Sequence, residues 1–65
     1  MKFAEKVEYL RKKSLYTQEE LAAKAGISQP QIQAYESGRA KPKAETAIKL
    51  SKALGLTVEE LLREE

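Results

Sequence analysis

Three glutamines fall within five residues, at Gln29, Gln31 and Gln33, and Ala34 follows them. A glutamine side chain donates and accepts hydrogen bonds from one planar amide. That combination matches the N6 donor and N7 acceptor of adenine in the major groove of duplex DNA, a paired contact worth about 1–3 kcal/mol of discrimination against a wrong base. The Ala34 methyl can meet a thymine methyl. Base hydrogen bonding therefore rests on Gln29 and Gln33, with Gln31 as a third amide. The plainer reading of Gln29 and Gln33 is polar surface. For Gln31 it is a partner in capping a helix, and that reading is the stronger one.

For these side chains to act together, the stretch must be a helix held by its other side. Advancing about 100° per residue from Gln29, Ile32, Tyr35 and Glu36 gather around one side, while Gln29, Pro30, Gln33, Ala34 and Ser37 spread over the other. Ile32 faces the core. The outer side carries no Lys, Arg or Glu, although the chain as a whole is 34% charged. A solvated face in such a protein would carry charge, so this one reads as reserved for a partner.

Two short helices and a tight turn place that face. Thr17 caps a helix over about residues 18–25, with Leu21, Ala22 and Ala25 as its apolar positions. Gly26 supplies the positive φ of a sharp stop and Ile27 plugs the corner. Ser28 caps the next helix, the recognition helix, over about residues 29–37. A stop followed so soon by a new start leaves a turn of about 3–4 residues, the connection of a helix-turn-helix. Thr17 with Glu20, Ser28 with Gln31, and Thr57 with Glu60 all fit the S/T-x-x-E/Q capping box, in which hydroxyl and carboxylate or amide satisfy each other's backbone N–H.

The remaining helices supply the support. Phe3, Val7 and Leu10 make the apolar stripe of a first helix ending near Ser14, with Lys2, Glu5, Lys6 and Glu8 on its wetter sides. Leu15 and Tyr16 then carry the chain over the core. Lys43 starts a fourth helix without a capping hydroxyl; Ala47, Leu50, Ser51 and Leu54 form its face, Ala44 and Ile48 flank it, and Gly55 closes it. Leu56, Val58, Leu61 and Leu62 give a short fifth helix an apolar side, of which Leu61 and Leu62 can seat a partner or a second copy. Tyr35 is expected at the core rim, its hydroxyl within reach of a phosphate, and Tyr9 and Tyr16 in packing.

The formal net charge is only +2, but it is unevenly placed. Arg39, Lys41, Lys43, Lys49 and Lys52 stand against Glu45 alone, whereas Glu59 to Glu65 sets four Glu against Arg63. The first region can meet phosphates and the second cannot. Ser37, Arg39, Lys41 and Lys43 follow the recognition helix and are the candidates to flank the groove, as are the cap residues Ser28 and Gln31 at its start. Phosphate contacts of this kind position a domain without reading sequence.

Sixty-five residues make one domain, 1–65, with a small core. With no Cys or His there is no disulfide, no metal site and no cofactor to expect. An enzyme would need a Lys, Tyr or carboxylate constellation in a pocket, for which a chain this short has little room, so no catalytic residue and no small-molecule substrate are expected. No apolar run is long enough for a signal peptide or a membrane span, which makes the expected location the cytoplasm, at the nucleoid if the source is bacterial.

Gln18, Leu21-Ala22, Gly26-Ile27-Ser28, Ile32, Tyr35-Glu36, Gly38 and Pro42 stand in the order Q-x-x-L-A-x-x-x-G-[IV]-S-x-x-x-I-x-x-[WYL]-E-x-G-x-x-x-P. This pattern resembles the Cro/C1-type, or XRE-like, helix-turn-helix repressors, from about Leu10 to the last helix. The resemblance implies an all-α, compact five-helix lambda-repressor-like domain that binds double-stranded DNA and regulates transcription. It places base contacts at Gln29, Pro30 and Ala34, beside Gln33, and a phosphate contact at Gln18. It also implies a partly buried ion pair between Arg11 and Glu36, worth about 1–3 kcal/mol. Leu15-Tyr16 stands where the family often has Gly-Leu, and Pro30 replaces a polar residue, so it offers apolar contact alone.

Natural members of the family bind near-palindromic sites as dimers, which points to a homodimer through the C-terminal helix. The repeated capping boxes and economical glycines also match an idealised, designed member, for which a monomer is expected. The alternative from another class is a small helical protein-interaction module, antitoxin-like or dimerising. The uncharged outer face favours DNA over it.

Overall fold

The computed structural model describes residues 1–64 and places five helices in them: α1 (Phe3–Lys13), α2 (Gln18–Ala25), α3 (Gln29–Glu36), α4 (Ala44–Leu54) and α5 (Val58–Leu62). Glu65, counted above in the acidic end, lies outside the described residues. No strand occurs among the described residues, and none of their helices is long and apolar enough to cross a membrane.

Local chemistry fixes where these helices start. The Thr17 hydroxyl accepts from the Glu20 N–H at 3.0 Å, while Glu20 Oε1 accepts from the Thr17 N–H at 2.8 Å. Thr57 and Glu60 repeat the exchange at 3.0 and 2.9 Å. Ser28 and Gln31 repeat it at 3.3 and 3.0 Å. α1 has half of the device, with Glu5 Oε1 accepting from the Lys2 N–H at 3.3 Å. α4 starts after Lys43 without a side-chain cap.

The stops of α1 to α4 share one backbone pattern. In each, a residue in the left-handed region lets the next N–H reach the carbonyl five residues back, satisfying an orphan acceptor of the last turn. The bonds run from Tyr16 to Arg11 (3.1 Å), Ile27 to Ala22 (3.0 Å), Arg39 to Ala34 (3.0 Å) and Leu56 to Ser51 (2.9 Å). Glycine supplies the positive φ at three of them, and Leu15, with φ 63°, supplies it at the end of α1. This corrects the expectation that Leu15 carries the chain over the core. Its left-handed backbone turns the side chain into solvent, where it is 88% exposed, and Tyr16 alone packs inward.

The core is the sum of one stripe from each helix: Phe3 and Val7, Leu21, Ala22 and Ala25, Ile32 and Tyr35, Ala47 and Leu50, and Leu61. α3 is wedged between α2 and α1, α4 packs on α2, and α5 closes against α1 and α4. Phe3 meets Tyr35 edge-on, with ring centroids 6.1 Å apart and planes at 74°, the geometry that aromatic quadrupoles favour. Tyr35 is thereby buried, deeper than the rim. Tyr9 is not a packing residue: it is 51% exposed, with the Lys13 ammonium 5.9 Å from its ring. Tyr16 packs on the core and carries Lys24 at 5.8 Å.

Two long-range contacts hold the C-terminal helix. Lys6 Nζ, expected on a wet side of α1, donates to the Glu60 carbonyl at 2.7 Å and to the Arg63 carbonyl, and so caps the end of α5. Glu64 Oε2 accepts from the Phe3 N–H at 3.4 Å, at the start of α1. Leu61 is fully buried in this chain's own core, so it is not available to seat a partner; Leu62, 45% exposed, is the part of that expected surface that remains. Among the described residues no buried side-chain polar atom lacks a hydrogen-bond partner.

Candidate nucleic-acid interface

α3 is a helix of eight residues whose inner side is fixed by Ile32 and Tyr35, both in the core. That anchorage dictates what faces outward. Gln29, Pro30 and Gln33 are exposed and Ala34 is half-buried, giving a strip of amide and apolar groups without a formal charge. Pro30 falls in the first turn, where its missing N–H leaves no intrahelical bond unmade. α3 ends at Glu36, one residue before the expected boundary, and Ser37 is its C-cap.

The ends of the strip are differently equipped. At the start, the Ser28 hydroxyl and the Gln31 amide are tied to each other: Gln31 Oε1 accepts from the Ser28 N–H at 3.0 Å and from its hydroxyl at 3.1 Å. Gln31 therefore performs the capping role in this structure. At the finish, Ser37 Oγ donates to the Ala34 carbonyl at 3.2 Å and accepts from Arg39 Nε at 3.0 Å, which lays the guanidinium across the end of α3.

The two lysines beyond Arg39 do not behave alike. Lys43 is exposed, and its ammonium makes no hydrogen bond or ion pair among the described residues. Lys41 Nζ lies 3.7 Å from Glu64 Oε2, on the rim of a hollow of about 410 Å³ formed with Lys2, Phe3, Gly38 and Ala40. It is thus drawn toward the N-terminus of α1.

Behind the strip sits a buried charge pair. Arg11 Nε donates to Glu36 Oε2 at 2.6 Å and Nη2 to Glu36 Oε1 at 3.0 Å, a two-bonded fork, while Nη1 donates to the Tyr16 carbonyl at 2.9 Å. The side chains are 12% and 4% exposed. The hydrogen bond to Glu36 raises the Arg11 pKa above its ordinary value, against the opposing effect of burial. Gln18, at the first position of α2, joins this pair: its Nε2 donates to Glu36 Oε1 at 3.1 Å. Residues 18 and 36 meet only when α2 and α3 are packed, and no local spacing signals the contact.

Among the described residues no three His, Cys, Asp or Glu are grouped to hold a metal ion.

Comparison with known proteins agrees with the geometry. The helix-turn-helix model HTH_3 matches residues 7–61. The uncharacterized HTH-type transcriptional regulator YqaE of Bacillus subtilis (strain 168) is 36% identical over 63 residues, covering 97% of this chain and 54% of YqaE. The present chain thus spans about half the length of that curated relative. The crystal structure of the P22 c2 repressor protein in complex with a synthetic operator aligns with a TM-score of 0.93 and 29% identity, over 100% of this chain and 98% of that one. SinR, a master regulator for biofilm formation crystallised with DNA, aligns with a TM-score of 0.88 and 27% identity, over 94% and 98%.

Proposed function

This chain belongs to the helix-turn-helix family, and from that premise we propose that it binds double-stranded DNA sequence-specifically, as transcriptional regulators do, with α3 lying in the major groove. The observation that carries the reading is the uncharged outer strip of α3, held by a buried inner side, in a chain otherwise rich in charge. A helix fits the major groove, and its amides find there the only edges that tell the four base pairs apart. Gln29 and Gln33 read bases by hydrogen bonding, and Pro30 and Ala34 by apolar contact. Gln18, Ser28, Gln31, Ser37, Arg39, Lys41 and Lys43 hold phosphates on the two sides. The likeness to repressor and regulator structures determined with DNA supports the same placement. A cytoplasmic, DNA-associated location belongs to this reading, as does pairing of two copies on a two-fold site.

Selection of bound duplexes from a random pool tests it. The expected result is a recovered motif containing adenine or thymine at its core. The Gln29→Ala/Gln33→Ala variant then loses about 2–6 kcal/mol of discrimination for that motif, two bidentate contacts' worth, while keeping its helical content. Undiminished preference for the motif in that variant would refute base reading by these amides.

A further inference from the structure

A carboxylate accepts hydrogen bonds and donates none. Glu36 Oε1 receives both Arg11 Nη2, at 3.0 Å, and Gln18 Nε2, at 3.1 Å, so the end of the Gln18 amide that faces inward is fixed as its NH2 group. Glu36 is itself fixed. Its other oxygen is held by Arg11 Nε at 2.6 Å, its side chain is 4% exposed, and it projects from the end of a helix whose Ile32 and Tyr35 are locked in the core. The Gln18 side chain makes one hydrogen bond among the described residues, the one to Glu36, and it uses one of two N–H groups. The second N–H remains at the half-exposed start of α2.

We infer that Glu36 is a positioning residue for DNA binding: through Gln18 Nε2 it holds the Gln18 amide with its free N–H, not its carbonyl, presented to a backbone phosphate. The inference rests on the reading of Gln18 as a phosphate contact. Without Glu36 the amide turns freely, and half of its orientations set a carbonyl oxygen against the anionic phosphate. The Arg11–Glu36 pair thus does more than tie α1 to α3. It transmits the packing of three helices to one donor on the DNA-facing side, because Arg11 lies on α1, Gln18 on α2 and Glu36 on α3.

The test uses a duplex recovered by selection from a random pool and measures what Gln18→Met costs in three backgrounds. Replacing both members of a buried ion pair by apolar residues of similar volume commonly preserves the fold, so one background is Arg11→Met/Glu36→Met. The third, Arg11→Met/Glu36→Gln, removes the charges and restores an acceptor for Gln18. Gln18→Met is expected to weaken binding roughly tenfold in the unmodified protein and in the third background, and to change nothing in the second, which is itself already about tenfold weaker. The slope of log affinity against log salt stays constant throughout, because the lost donor carries no charge; a generally loosened interface would lose lysine and arginine contacts and flatten it.

An equal cost of Gln18→Met in all three backgrounds overturns the positioning role and leaves the phosphate contact standing. No cost in the unmodified protein overturns the phosphate contact itself. Should the paired methionine variant fail to fold, NMR relaxation on the unmodified protein decides. A Gln18 side-chain amide with an order parameter near that of rigid backbone, about 0.85, supports the inference, and one below about 0.6 overturns it.

Discussion

Leu15 stands alone among the stops of α1 to α4 in taking a left-handed φ, 63°, with a side chain to accommodate. That conformation costs an L-residue about 1–2 kcal/mol, and a side chain 88% exposed gains almost nothing from burial in return. Glycine removes the strain while giving back about 0.4–1 kcal/mol of unfolded-state entropy. Leu15→Gly is therefore expected to stabilise the domain by about 0.5–1 kcal/mol, a rise of several degrees in Tm for a domain of this size. Urea and thermal denaturation check it, and a loss of stability would show that Leu15 makes a contact in the folded state. The other three stops were legible in the sequence because Gly26, Gly38 and Gly55 announce them. Leu15 was not, since an apolar residue after a helix reads as a bridge across the core, and only the Gly-Leu of similar proteins hinted at a positive φ. At Ile32 and Gln33 the helical period alone separated inside from outside, so the candidate base contacts could be named before any packing was known.

At the scale of elements, what could be read was what is local. The three complete capping boxes each join residues three positions apart, and the structure has all of them. What holds α5 in place was out of reach for the opposite reason: Lys6 is 54 residues from the carbonyl it caps, and a lysine on a helix side reads as solvated. α5 has only five residues and depends on its cap and on Leu61. Its pH response follows from Glu60. Hydrogen bonds from the Thr57 backbone, and then from the Thr57 side chain, lower the Glu60 pKa from its ordinary carboxylate value. The folded state thus binds this proton more weakly than the unfolded state, so the unfolded chain holds more protons in the acid range. The contribution of Glu60 is intact above the ordinary carboxylate range and is lost as the pH falls through it toward the lowered value. Glu60→Gln should accordingly lower stability at neutral pH and shrink the difference from the unmodified protein as the pH is lowered. Thermal melts across that range measure it, and a difference constant with pH would refute the role of the charged form.

For the molecule as a whole, the uneven charge of the sequence was visible, but not that one cation crosses between its halves. Arg39 and Lys43 stay near the end of α3 and the start of α4, while Lys41 pairs with Glu64 of the acidic end at 3.7 Å. The pair is exposed, and such surface pairs contribute about 0–1 kcal/mol, so a phosphate can compete for the ammonium. The competition has a thermodynamic signature. A cation that replaces condensed counterions on duplex DNA adds about 0.9 to the slope of log affinity against log salt. Arg39→Ala and Lys43→Ala should each flatten the slope by about that amount. Lys41→Ala should flatten it by clearly less, because in the free protein Glu64 already neutralises part of the charge that DNA would meet. In a Glu64→Gln background Lys41 is released from its partner, and Lys41→Ala should then cost the full value of about 0.9. Titrations of a selected duplex at several salt concentrations separate these cases. If Lys41→Ala gave the same change with and without Glu64, the two ends of the chain would act on DNA independently, and the ion pair between them would have no part in binding.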